Sequence, residues 1–241
     1  MRKGWMVGAA ALAMTVPAAA IAAPATVTVT GTVLNGLDAG GQFAGIGANL
    51  AGLPFSAVFT VEAQPGNTVI QTGTLGYLFG RGAASPVSAA LTIGSRTYDF
   101  AGSFSGSARV MDAAGNGGTD LLHYMVDDTN VALLPPDNTL LYVGFDTLRN
   151  VLNSANYSAF DQIDLTAQDG ATGQVRIANR DAATGTYGAS TYANLSLSTI
   201  RASVMSPVPE PATWAMMIAG FAMTGAALRR RRATRVAVRF A

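Results

Sequence analysis

The chain has no cysteine, a single histidine and a single lysine in 241 residues. Each absence removes a class of chemistry. Without cysteine there is no disulfide to staple the fold and no thiolate to hold a metal, so stability must come from burial. With His123 alone, zinc sites built from two or three histidines are excluded. The one lysine, Lys3, lies near the N-terminus, which leaves none for the lysine of a phosphate-binding loop, and no glycine-rich phosphate motif occurs. Glutamate is scarce as well: between residues 24 and 206 only Glu62 occurs, at the end of a predicted strand before a Pro65-Gly66 turn. A Ser-His-Asp set could draw on His123, but residues 102–106 read Gly-Ser-Phe-Ser-Gly, with Phe104 where a nucleophile elbow requires serine. His123 sits in a strand-like run and reads as a polar position on a sheet face. No catalytic residue and no cofactor are assigned, and the chain is not expected to be an enzyme.

Charge is distributed unevenly. The formal net charge is +1, yet seven of the fourteen arginines lie outside residues 24–206. Within that span seven arginines face thirteen carboxylates, 7 − 13 = −6. This central region is acidic, which argues against nucleic acid as a partner. About 180 residues suit one domain with a substantial core.

What is plentiful is turn and strand chemistry. Asp, Gly, Ser, Thr, Asn and Ala dominate, and the Glu, Lys and Gln that coat helices are few. Period-two alternation marks strands at 26–30, 56–61, 108–111 and 195–198, with further strands predicted at 68–72, 87–93, 97–101, 121–126, 140–145, 158–165 and 173–178. Turn signals separate them at 65–67, 94–95, 115–118, 135–138 and 169–170. About ten short strands at this spacing predict an all-β fold, a β-sandwich or jelly roll. A short helix is predicted at 147–155, where Leu148, Val151 and Leu152 share a face.

Both ends carry targeting features. Arg2 and Lys3, an apolar run at 5–16 and small residues at 17–23 form a signal peptide, residues 1–22, with cleavage expected after Ala22 by signal peptidase following Sec translocation. Near the other end, Val208-Pro209-Glu210-Pro211 precedes seventeen uncharged residues, 212–228, and then Arg229, Arg230, Arg231 and Arg232. As a helix, 212–228 would measure about 25 Å, enough to cross a bilayer core. The arginines would stay cytoplasmic, with Trp214 at the interface and the central region on the opposite side. Pro209 and Pro211 hold the entry extended and stop outward growth of the helix.

The order of Pro209-Glu210-Pro211, a Trp214-Ala215-Met216-Met217 segment, Gly220-Phe221 and an arginine cluster resembles the PEP-CTERM sorting domain of Gram-negative bacteria. That resemblance implies recognition by an exosortase, processing near Pro-Glu-Pro and delivery from the inner membrane to the cell surface or exterior, with exopolysaccharide as a common associate. The expected organisation is signal peptide 1–22, exported β domain 23–206, sorting signal 207–232 and cytoplasmic extension 233–241.

Within the β domain two carboxylate patterns are of interest. Thirteen acids can always supply a glycosidase pair, so their number decides nothing. Asp112 to Asp120, with Gly115-Asn116-Gly117-Gly118 between, resembles one copy of a calcium-binding nonapeptide repeat, which makes Asp112, Asn116 and Asp120 weak metal candidates; no second copy occurs, and a Gly-rich hairpin loop explains the same residues. The expected function is therefore a structural or adhesive envelope or matrix protein. A carbohydrate-binding module is the alternative, if Tyr98, Tyr124, Tyr142, Tyr157, Tyr187 or Tyr192 share an exposed sheet face. A carboxylate-dependent hydrolase would need two close acids in a cleft.

Overall fold

The computed structural model describes residues 24–100, 104–128, 138–157, 160–178, 184–186, 188–204 and 220–225. Among them thirteen strands form: β1 Ala25–Asp38, β2 Ala48–Asn49, β3 Pro54–Val61, β4 Thr68–Gln71, β5 Leu75–Gly80, β6 Val87–Ile93, β7 Arg96–Phe100, β8 Ser105–Met111, β9 Asp120–Asp127, β10 Leu140–Thr147, β11 Ile163–Asp164, β12 Thr172–Ile177 and β13 Thr191–Val204. The expected all-β class is what the structure shows.

Hydrogen bonding joins the strands into one antiparallel sheet in the order β4-β5-β8-β9-β10-β12-β13-β1-β3-β6-β7, with β2 beside β1 and β11 beside β13. The finer expectation of a sandwich or jelly roll is not confirmed: one continuous sheet curls upon itself. The two longest strands, β1 and β13, form its spine. They stay in register from Ala25–Val204 to Leu37–Tyr192 through two irregularities, at Thr30/Gly31 and Val33/Asn35. Such bulges add bend and twist, which a sheet of this width needs in order to curl. Gly31 sits at the first of them because a Cβ there would overlap the Ser196 carbonyl.

The period-two pattern decides what faces inward. Val27 and Val29 of β1, Phe55, Ala57 and Phe59 of β3, Leu91 and Ile93 of β6, Leu122, Tyr124 and Val126 of β9 and Leu141, Val143 and Phe145 of β10 are all buried in one cluster. Each fully buried Leu or Phe contributes about 2 kcal/mol of transfer free energy, the means of stabilisation left to a chain without cysteine.

Two local expectations are corrected. Residues 148–157 form no helix; the Val151 and Leu152 N–H groups donate to Asp120, 2.8 Å each, so a distant carboxylate satisfies amides that a helix would have used within its own turns. Of the strand predicted at 158–165 only the two-residue β11 forms, and 158–159 lie outside the described residues.

Candidate functional site

Three buried carboxylates hold loops in place. Asp38, at the end of β1, accepts N–H bonds from Gln42 (2.7 Å), Phe43 (2.8 Å), Ala44 (2.7 Å) and Gly45 (3.1 Å), and the Thr191 hydroxyl at 3.0 Å. Asp120 does the same for two loops at once: Oδ1 takes Ala113 and Ala114 N–H, and Oδ2 takes Val151 and Leu152 N–H. At both sites burial raises the carboxyl's pKa, but the four amides outweigh it and the net shift is downward. Asp169 is paired with Arg149 by two bonds, Nε to Oδ1 at 3.0 Å and Nη2 to Oδ2 at 2.5 Å, and also takes the Thr166 N–H. The guanidinium is the main cause holding this acid well below the usual carboxylate range.

Asp120 is one of the three metal candidates. Both of its oxygens accept backbone N–H bonds, and through Ala113 and Ala114 it anchors the Gly-rich loop. Among the described residues no group of three or more His, Cys, Asp or Glu side chains is placed to hold a metal ion. Asp112 enters that loop and Asn116 lies within it; the Asp112 N–H bonds the Thr74 carbonyl, and the Asn116 N–H bonds the Ala113 carbonyl.

The outer face of the sheet from β5 to β13 has a different character. Tyr77 and Phe79, two residues apart on β5, hold their rings nearly parallel (5°) with centroids 6.4 Å apart, and the Arg81 guanidinium lies 5.4 Å from the Phe79 centroid. Cross-strand pairing continues this surface: Phe79 opposes Ser107, Ser107 opposes Met125, Met125 opposes Tyr142, Tyr142 opposes Gln174 and Gln174 opposes Asn194. Six strands at about 4.8 Å spacing make a strip roughly 24 Å across. In the next row Arg109 opposes His123, and the His123 ring meets Tyr142 edge-on at 5.4 Å over Gly144, whose missing side chain leaves the room. Burial lowers the His123 pKa, as does Arg109, against a smaller opposing effect of Asp146. His123 therefore packs as a sheet-face residue, as its sequence context predicts.

The six tyrosines named from the sequence separate by the phase of their strands. Tyr124 is fully buried and donates its hydroxyl to the Tyr157 carbonyl. Tyr98 and Tyr157 are partly buried against the core. Tyr142 and Tyr192 lie on the outer face, Tyr192 with 45% of its surface exposed, and Tyr187 lies outside the described residues. Tyr77 and Phe79 were missed by the sequence reading, although Leu75, Tyr77 and Phe79 recur with period two.

At the far end of the chain residues 220–225 are helical, with the Thr224 hydroxyl donating to the Gly220 carbonyl at 2.6 Å. Residues 207–232 match the family model of the PEP-CTERM protein-sorting motif. The chain thus carries the PEP-CTERM signal that its tail residues resemble, and that motif implies an exported protein sorted by an exosortase to the cell surface or exterior. No curated protein and no solved structure matches the chain. Pro209, Glu210, Pro211, Trp214 and the cluster Arg229, Arg230, Arg231 and Arg232 fall within the PEP-CTERM match; these residues and residues 1–22 lie outside the described residues. No helix among the described residues is long and apolar enough to cross a membrane; of the predicted span 212–228, only 220–225 are described.

Proposed function

We propose that residues 23–206 are a non-enzymatic domain of the cell envelope or extracellular matrix, structural or adhesive in association with exopolysaccharide. The observation that carries this reading is the pairing of a PEP-CTERM signal with a β domain whose buried acids are committed to the fold. In this account the Sec translocon and signal peptidase act on residues 1–22, and 212–228 hold the chain in the inner membrane of a Gram-negative bacterium. Arg229 to Arg232 and the extension 233–241 remain cytoplasmic until exosortase acts. The test is fractionation of cells that do and do not make the polymer. The protein should sediment with the matrix and be released by enzymatic digestion of the polysaccharide; equal release from polymer-deficient cells would refute it.

A carbohydrate-binding module is the second reading, favoured by the outer strip. Tyr142 lies beside Gln174, which opposes Asn194, and Tyr77 and Phe79 stand at the other end of the strip, so aromatic rings share this surface with amides that both donate and accept, a combination suited to hydroxyl-rich ligands. A hydrolase would need a general acid with a raised pKa, a part for which Asp38, Asp120 and Asp169 are unsuited, because the N–H groups and guanidinium they accept from shift them downward.

A further inference from the structure

One end of the outer strip deepens into an open groove of about 380 Å³, lined by Leu37, Gln174, Arg176, Ser190, Tyr192 and Asn194. Its floor follows from strand phase. Gln174 and Arg176 are the outward residues of β12, paired with Asn194 and Tyr192 of β13, and Tyr192 is paired in turn with Leu37 of β1. Tyr192 and Leu37 make an exposed apolar patch, 45% and 38% accessible, ringed by planar polar groups.

Several of those polar groups are held in position by neighbours. Arg176 Nη1 donates to the Asn138 side-chain oxygen Oδ1 at 2.8 Å, and Asn138 Nδ2 donates to Asp127 Oδ1 at 3.2 Å. Asn194 Nδ2 donates to Asn35 at 2.8 Å. Among the described residues the Gln174 amide and the Tyr192 hydroxyl make no hydrogen bond. Pre-positioned side chains with unspent donors and acceptors lower the ordering cost of binding.

We propose that this groove is a subsite for a neutral, hydroxyl-rich glycan, with the Tyr192 ring as the stacking surface and Gln174, Arg176 and Asn194 bonding the hydroxyls; this rests on the carbohydrate-binding reading above. A sugar ring has an apolar face and a rim of hydroxyls that donate and accept. The groove has the matching order, an aromatic floor and a rim of amides and guanidinium. Charge selects the neutral class. The central region carries a net charge of −6, and Asp127 stands one amide away from Arg176, so a polyanion meets repulsion that an uncharged polymer does not.

The test uses the full chain in a zwitterionic detergent without sugar headgroups, screened on a glycan array and titrated calorimetrically with cellohexaose, maltohexaose, laminarihexaose and hexagalacturonate. At least one neutral hexaose should bind with little salt dependence. Tyr192→Ala and Asn194→Ala, each with an unchanged circular dichroism spectrum, should weaken it about tenfold, whereas Tyr192→Phe, which keeps the ring, should stay within about threefold. Neutral binding unaffected by both alanine variants overturns the site and leaves the glycan-binding reading standing. Binding confined to hexagalacturonate and other acidic glycans overturns the neutral class. No binding across the array overturns the subsite and the carbohydrate-binding reading together.

Discussion

Phe59 of β3 and Tyr124 of β9 meet ring against ring, their centroids 5.6 Å apart, although four strands separate them in the order of the sheet. That contact measures the curl: residues distant along the hydrogen-bonded path become neighbours across the core. Tyr124 also donates its hydroxyl to the Tyr157 carbonyl, which ties the 148–157 loop to the same point.

Truncating this contact should therefore be costly. Tyr124→Ala is expected to destabilise the domain by about 3 to 5 kcal/mol, as for other buried aromatic truncations. Tyr124→Phe, which loses only the hydroxyl and leaves the Tyr157 carbonyl to find another donor, should cost about 1 kcal/mol. Urea unfolding of the two variants gives both values, and equal costs would show that the ring contact contributes nothing.

Asp120 gives a second prediction. Asp120→Asn puts an amide donor where four N–H groups converge, so at least one donor loses its partner, at a cost of about 2 to 4 kcal/mol. Asp112→Asn, outside that set, should change stability by less than about 0.5 kcal/mol. Calcium should leave the melting midpoint of the wild type unchanged; a midpoint that rises with calcium and falls back with a chelator would restore the loop as a metal site.

The strand pattern was largely legible in the sequence, and the exceptions have physical causes. The predicted 87–93 coincides with β6, and the alternation at 26–30 and 195–198 marks the interiors of β1 and β13. β5 escaped because its pattern is inverted: the outward positions hold Leu75, Tyr77 and Phe79, while two inward ones are Gly76 and Gly80. Those glycines leave room for the Ala155 and Ala84 carbonyls, which a side chain would displace. The helix expected at 147–155 failed through Asp120, about thirty residues earlier in sequence. The same long-range bonding kept the functions of the acids hidden: composition counts thirteen carboxylates but cannot say that Asp38, Asp120 and Asp169 are spent on loops. Tyr124, one of the aromatics considered for an exposed face, shares the phase of Leu122 and Val126 and is buried with them, while the grouping of Tyr142, Gln174 and Tyr192 depends on a strand order no local pattern encodes.

The ionisable groups predict a pH profile. Asp38, Asp120 and Asp169 have folded-state pKa values below their unfolded ones, so their stabilisation is complete above about pH 4 and is lost as pH falls toward the folded values. His123 has the same sign by a different route. Its folded pKa lies below the unfolded value of about 6.5, so the unfolded state takes up the proton first and stability begins to fall below that pH. Unfolding free energies measured from pH 8 to 3 should show a shallow loss below pH 6.5 that His123→Gln removes, followed by a steep loss below pH 4. A shallow loss that persists in His123→Gln would assign it elsewhere.

If the PEP-CTERM signal delivers and releases this domain, the intact mass of the exported protein will show it. The wild type should be recovered from the surface or medium without residues 1–22 and shortened near Pro209-Glu210-Pro211, while the variant with all three changed to alanine accumulates in the membrane with its tail attached. Identical mass and location for the two proteins, with Arg229 to Arg232 still present in both, would contradict the account and leave a plain membrane anchor.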